Sequence, residues 1–324
     1  MIKRNAVLLA AALGAGLGAT APAMAQSTDW PSRLVKIVVP APPGSVTDLL
    51  ARVLSDRLAT VFGQSFITDN RPGAGTNIGT DYVAKQRPDG YTILLTQNTI
   101  VTNPSFFKKL PFDPIADFDP VSLIVTTPLL LAVNTGTPVK NLRELIEFAR
   151  TREITYGSAG IGSPHHLAAV LFSVATGLKM THVPYKGSAP ATMALVTNEV
   201  TMSLTTVSAV QPFIQSGKLR ALAVSGEKRT TLMPDLPAIA EVVPGVVLDA
   251  WFGVFVPAGT PRAIIDRLNT EINRAIRDPQ IVKTRFTPNG IEPVGTTPEY
   301  LKELMKTELL KYQKLARDAN ITPE

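Results

Sequence analysis

Two hydrophobic rhythms alternate along the chain. Residues 34–39 form a short β-branched apolar run of strand length. Residues 48–62 then carry Leu50, Val53, Leu54, Leu58 and Val61 on one face, the 3.6-residue period of an amphipathic helix. Asp48 is expected to open that helix as its N-cap or in its first turn, and Gly63 to stop it. A strand at 65–68, a helix at 78–87, an RPDG turn and a strand at 91–96 continue the pattern. This β-α-β-α-β order predicts a parallel sheet with helices on its faces.

The rhythm breaks at residues 103–120, where four prolines and no clean period read as a long surface excursion. Strands are expected at 121–125 and 129–133. The α/β alternation then restarts. Leu142, Leu145, Ile146 and Ala149 line a helix, residues 154–156 form a strand, and Leu167, Val170, Leu171 and Val174 line the next helix. Further strands fall at 180–183, 200–204, 219–224 and 251–256, and closing helices at 261–276 and 298–316. Two α/β units result, each with a glycine-rich strand-to-helix loop near its start. In open parallel sheets such loops gather at the carboxyl ends of the strands, where ligands bind.

The first loop lies in VVPAPPGSVTD, residues 38–48. Its prolines stiffen the chain, and Gly44 leaves backbone approachable. The unpaired N–H groups of a helix start carry partial positive charge, so the loop can hold an anion without a charged side chain. An ordinary βα turn has the same composition, so this loop does not decide alone. YGSAGIGSPHH, residues 156–166, repeats the design with Ser158 and Ser163 beside three glycines. His165 and His166 are adjacent and point apart, so they cannot chelate at helical spacing. One of them is expected in or near the pocket. Tyr185, Trp251 and Phe252 can supply apolar walls, and Lys186 reads as a solvated loop lysine or an anion partner.

Other chemistries fit less well. The glycines of NRPGAGTNIG stand at 73, 75 and 79, not in dinucleotide-fingerprint spacing, and they follow the second strand. No cofactor is expected. With no cysteine and no HExxH, no metal site is expected. Neither Ser158 nor Ser163 has glycine at both flanking positions of a nucleophile elbow. A serine triad through His165, His166 or His182 could still assemble in space.

The ends and the charge set the compartment. Lys3 and Arg4, an apolar stretch at 7–17 and Ala23-Met24-Ala25 read as a signal peptide cleaved after Ala25, which places the mature protein in the periplasm. The formal net charge of +6 has no Lys/Arg run behind it, so nucleic acid is not an expected partner.

PDGYTILL (88–95), YGSAGIGSPHHLAAVLF (156–172), HVPYKGSAPA (182–191), GKLRALAVSGEKR (217–229), PAIAE (237–241), WFGVFVPAGTP (251–261) and RPGAGTNIG resemble the Bug family, the solute-binding proteins of tripartite tricarboxylate transporters. The resemblance spans the mature chain in order. It implies an α/β two-domain periplasmic binding protein fold of the second class, with two mostly parallel sheets, flanking helices and a double-crossover hinge near 125–131 and 248–252. One domain would take 29–127 plus 251–324, the other 128–250. It also implies a carboxylate held between the first βα loop and the second glycine-rich loop, largely by main-chain amides and hydroxyls. Carried over, the ligand set is Pro42, Pro43, Gly44 and Ser45 with Ser158, Ala159, Gly160, Gly162 and Ser163, and His165 and Tyr185 stand beside it. Ser45 replaces a glycine common in the family, which adds a hydroxyl at the mouth of the pocket.

Two functions remain. One is an extracytoplasmic solute-binding protein, not an enzyme, that captures a small organic acid or amino acid and delivers it to the membrane subunits of a tripartite tricarboxylate transporter or to a sensor. The other is an exported hydrolase acting on a small acid or ester. The missing elbow, the paired anion loops and the resemblance favour the first.

Overall fold

The computed structural model describes residues 30–230, 232–319, 321 and 323. The expected signal peptide at 1–25 lies outside them. All described elements fall within Pro31–Glu324. β1 (Val35–Val39) is buried at all but Lys36, because it runs parallel between β2 (Phe66–Asn70) and β3 (Thr92–Gln97). α1 (Val46–Phe62) buries Leu50, Leu54 and Leu58, the expected face, while Val61 at its end stays 50 % exposed. Ser45, rather than Asp48, is its N-cap: the Ser45 hydroxyl accepts from Asp48 N at 3.2 Å. α2 (Asn77–Ala84) follows β2.

The proline-rich stretch departs from expectation. α3 (Thr99–Thr102) and the turn Asn103–Ser105 are buried, and so are Phe106 and Phe112. The expected strands at 121–125 and 129–133 are one 17-residue strand, β4 (Phe118–Asn134). Prolines interrupted the pattern in the sequence, but the sheet tolerates them. The register against its neighbour shifts between Pro120 and Ser122, a bulge that spares the missing N–H, and Pro128 ends that ladder.

The second half contains α4 (Leu142–Arg150), β5 (Ile154–Ser158), α5 (Pro164–Thr176), β6 (Met180–Pro184), α6 (Ser188–Val196), β7 (Met202–Thr206), α7 (Val207–Gln215) and β8 (Leu219–Val224). The chain returns through β9 (Asp249–Pro257), α8 (Arg262–Ile276), the single turn α9 (Pro279–Ile281), β10 (Glu292–Pro293) and α10 (Pro298–Asp318). Helices α6 and α7 were not foreseen. α6 is apolar around its circumference and shows no one-sided 3.6 period, whereas α7 carries Val207, Val210 and Ile214 at helical spacing but is only nine residues long and contains Pro212.

The strands form one mixed sheet in the order β2-β1-β3-β9-β4-β7-β5-β6, with β8 and β10 also pairing β4. It is parallel in β2-β1-β3 and in β6-β5-β7, and antiparallel wherever β4 and β9 take part. The two expected sheets therefore share β4. Its first part, 118–128, pairs β9, and its last part, 129–134, pairs β7 and β8. α8 packs on α1 and β4, and α10 on α3 and β4, so the closing helices return to the first half.

Candidate functional site

The β1–α1 loop is braced from within. Gly44 has φ 82°, which a side chain would strain, and the loop's Pro42, Pro43 and Gly44 are exposed. The Asp48 carboxylate turns back along the helix start. It accepts from Gly44 N at 3.0 Å, Asn70 Nδ2 at 3.0 Å and Arg52 Nε at 2.9 Å. Burial alone would raise this carboxyl, but those donors, Arg52 first, more than offset burial and hold it below its usual range. The N–H of Gly44 is thus already given to the chain's own carboxylate.

The β5–α5 loop is held differently. Ser163 caps α5, accepting from His166 N at 3.3 Å and donating to Gly160 O at 2.6 Å. Ser158 is fully buried; its hydroxyl lies 2.6 Å from His182 Nε2 and accepts from Gly160 N at 3.1 Å. These contacts make Ser158 a brace for the loop. Gly162 N donates to His166 Nδ1 at 3.2 Å, so that ring is neutral with its proton on Nε2. His166 and His182 stack at 4.1 Å, and Tyr156 stacks on His182 at 4.9 Å. Burial drives His165 down to about 4, His182 down to about 4 and His166, next to His182, down to about 3. Burial likewise raises the Tyr156 hydroxyl. Tyr185 N donates to Ser158 O at 3.0 Å, and its hydroxyl donates to Glu199 at 2.7 Å. Burial and Glu199 push the Tyr185 hydroxyl up to about 12.

This second loop meets the first half of the sheet directly. Thr102 Oγ1 donates to Gly162 O at 2.8 Å. Asn103 reaches Gly75 O and Asn77 at 2.8 and 2.6 Å. A Cβ at Gly162, whose φ is 73°, would lie 2.6 Å from Asn103 Oδ1, so only glycine permits the approach.

A cleft of about 330 Å³ opens beside the β1–α1 loop. Gly44 and Ser45 line one wall with Val46 and Leu49 of α1. Ser188, Ala189, Thr192 and Met193 of α6 also line it. Thr206, Ser208 and Ala209 at the start of α7, Phe213 further along it, and Asn289 complete the lining. Three helix N-termini therefore surround one space. Of the sequence-derived ligand set, Gly44 and Ser45 line this cleft. Pro42 and Pro43 are exposed in the same loop, and Ser158, Ala159, Gly160, Gly162, Ser163, His165 and Tyr185 lie outside its walls. Sequence reasoning missed the α6 and α7 contributions. The available signal was GSAP at 187–190, a third strand-to-helix loop of the same composition as the two singled out. Among the described residues, no group of three or more His, Asp or Glu could hold a metal ion.

A family model described as the tripartite tricarboxylate transporter family receptor matches residues 50–321. The chain is 35 % identical over 322 residues to protein BugT of Bordetella pertussis, a match covering 97 % of this chain and 98 % of BugT. The fold superposes on R. palustris Rpa4515, solved with adipate, with a TM-score of 0.85 at 38 % identity, covering 91 % of this chain and 100 % of that one. It superposes on the periplasmic binding protein BugD with a TM-score of 0.83 at 32 % identity, covering 91 % and 100 %.

Proposed function

Because the chain belongs to the tripartite tricarboxylate transporter family of receptors, we propose that it is a periplasmic solute-binding protein that captures a small carboxylate in the cleft and delivers it, unaltered, to the membrane subunits of such a transporter. The observation that carries this reading is the convergence of the α1, α6 and α7 N-termini on one cleft, since helix starts attract anions without a charged side chain. The similarity to Rpa4515, solved with adipate, supports a carboxylate ligand. The reading includes a leader at 1–25 removed on export. It takes 29–127 with 251–324 as one domain and 128–250 as the other, hinged where β4 and β9 join the two halves. The ligand's surroundings extend from the Pro42–Ser45 loop to residues 158–163, His165 and Tyr185 as the domains close. The bond from Thr102 to Gly162 supports this, because it sets the second loop at the junction of the halves.

The test is thermal unfolding of the mature protein with a panel of dicarboxylates and aromatic acids, followed by mass analysis of the recovered ligand. A ligand that binds only the folded form raises stability by about 2.7 kcal/mol at a hundredfold excess over Kd. An acid recovered unchanged supports the receptor reading. Turnover of the bound compound would establish the hydrolase instead, and no shift with any acid would remove the cleft as a carboxylate site.

A further inference from the structure

We infer that Asp249 makes the crossing between the two halves a proton-sensitive hinge: a proton on its carboxyl favours the arrangement of the halves described above, and the restored charge loosens the crossing. The inference goes beyond carboxylate capture but takes from that reading the hinge at β4 and β9. Ser225, 1 % exposed just after β8, pins both crossings. Its N–H donates to Leu129 O at 2.8 Å, and its hydroxyl accepts from Leu129 N at 2.9 Å. Its carbonyl accepts from Leu248 N at 3.0 Å, and its hydroxyl donates to Leu248 O at 2.5 Å. Asp249 follows at once, where β9 begins opposite Pro128 of β4.

The strand register collects charge on one face of this junction. Thr126 of β4 pairs with Trp251 of β9 on one side and with Glu292 of β10 on the other. Directly paired residues share a face of a sheet, and so do residues two apart on a strand. Asp249, Trp251 and Glu292 therefore share one face. α10 packs there, since Trp251 Nε1 donates to Glu308 at 2.6 Å. Glu227 acts on Asp249 from the chain after β8, and Lys311 and Tyr312 face it from α10. Asp249 and Glu227 belong to the 128–250 half, whereas Glu292, Glu308, Lys311 and Tyr312 belong to the other. Repulsion between Asp249 and Glu292 thus acts across the hinge, and a relative movement of the halves changes it. The carboxylate has little relief where it stands. Its Oδ1 is buried without a hydrogen-bond partner, and a Cβ at Gly226 would lie 3.3 Å from it. Burial first, then Glu292 and Glu227, raise the carboxyl to about 6, and Lys311 opposes them only in part. The preference for this arrangement is therefore full below the usual carboxylate value of about 4 and is lost as pH rises through about 6.

Small-angle scattering of the ligand-free mature protein between pH 7.5 and 5 is the test, a range above the values to which burial drives the histidines. The profile should match the described arrangement at pH 5 and depart from it at pH 7.5, with a midpoint near pH 6. Asp249→Asn keeps the shape of the side chain without its charge. It should give the pH 5 profile throughout and melt at or above the wild-type temperature at pH 7.5. Glu292→Gln should move the midpoint to lower pH and Lys311→Met to higher pH, each by about half a unit. A wild-type profile that does not change with pH, the same change in Asp249→Asn, or a lower melting temperature of Asp249→Asn at pH 7.5 overturns the inference. An unmoved midpoint in either charge variant overturns the coupling across the hinge. No ligand enters the measurement, so its failure leaves the carboxylate-receptor reading standing.

Discussion

Ser45 combines two tasks in one hydroxyl. It caps α1 by accepting from Asp48 N, and it lines the cleft. Replacing it separates the two. Ser45→Ala removes the cap, and denaturant melts should show a loss of about 1 kcal/mol, whereas Ser45→Gly should lose only a few tenths. Equal losses from the two variants would show that the cap is not what Ser45 contributes to stability. Asp48 illustrates the limit of reading one residue from its neighbours in sequence. An acidic residue at a helix start can be the N-cap or stand in the first turn, and both fit the spacing. The choice came from Asn70, 22 positions away, whose amide holds the Asp48 carboxylate in place.

At the scale of elements, α5 and β6 carry the chain's three histidines: His166 and His182 stack on each other, and His165 is buried separately on α5. The values in the fold, about 4 for His165 and about 3 for His166, lie below the usual histidine value of about 6.5 because burial disfavours the charged ring. Between those limits the unfolded chain binds more protons than the fold. Stability is therefore full above about pH 6.5 and is lost as pH falls toward 4, by at most about 1.4 kcal/mol per pH unit for each buried histidine. Asp249 has the opposite sign, since burial and then Glu292 and Glu227 raise it to about 6. Comparing urea midpoints of the native protein with those of a His165→Gln/His166→Gln variant between pH 7.5 and 5 isolates the histidine part. The native midpoint should fall faster than the variant's, and parallel curves would mean that the two histidines titrate normally. The loops bounding these elements were readable, because glycine, proline and serine have local conformational meanings. Helix α6 was not, because its run of small and apolar residues has no polar face to set a period, and α7 was not, because its Val207, Val210 and Ile214 spacing spans only nine residues and is interrupted by Pro212.

At the scale of the whole molecule, β4 and β9 are the strands through which the two halves of the sheet join, and the cleft opens beside exposed Gly44. If the halves close on the ligand, small-angle scattering with the tightest-binding acid at saturation should give a smaller radius of gyration than the ligand-free protein. An unchanged radius with binding confirmed would describe a rigid receptor whose cleft is already formed, because a ligand shifts a conformational equilibrium only by its differential affinity for the two states. The sequence by itself determined the α/β class, the positions of most strands and helices, and the two glycine-rich loops. Each is written in short-range periods and in residues with fixed backbone preferences. Only the tertiary structure decided that two expected strands are one long β4 and that the 103–106 turn is buried under the second loop. It also decided that α6 and α7 line the same cleft as the first loop. Those outcomes depend on pairings between residues far apart in the chain, such as Thr102 with Gly162 and Thr126 with Trp251. No local pattern encodes which distant partner a buried polar group or a strand edge will meet.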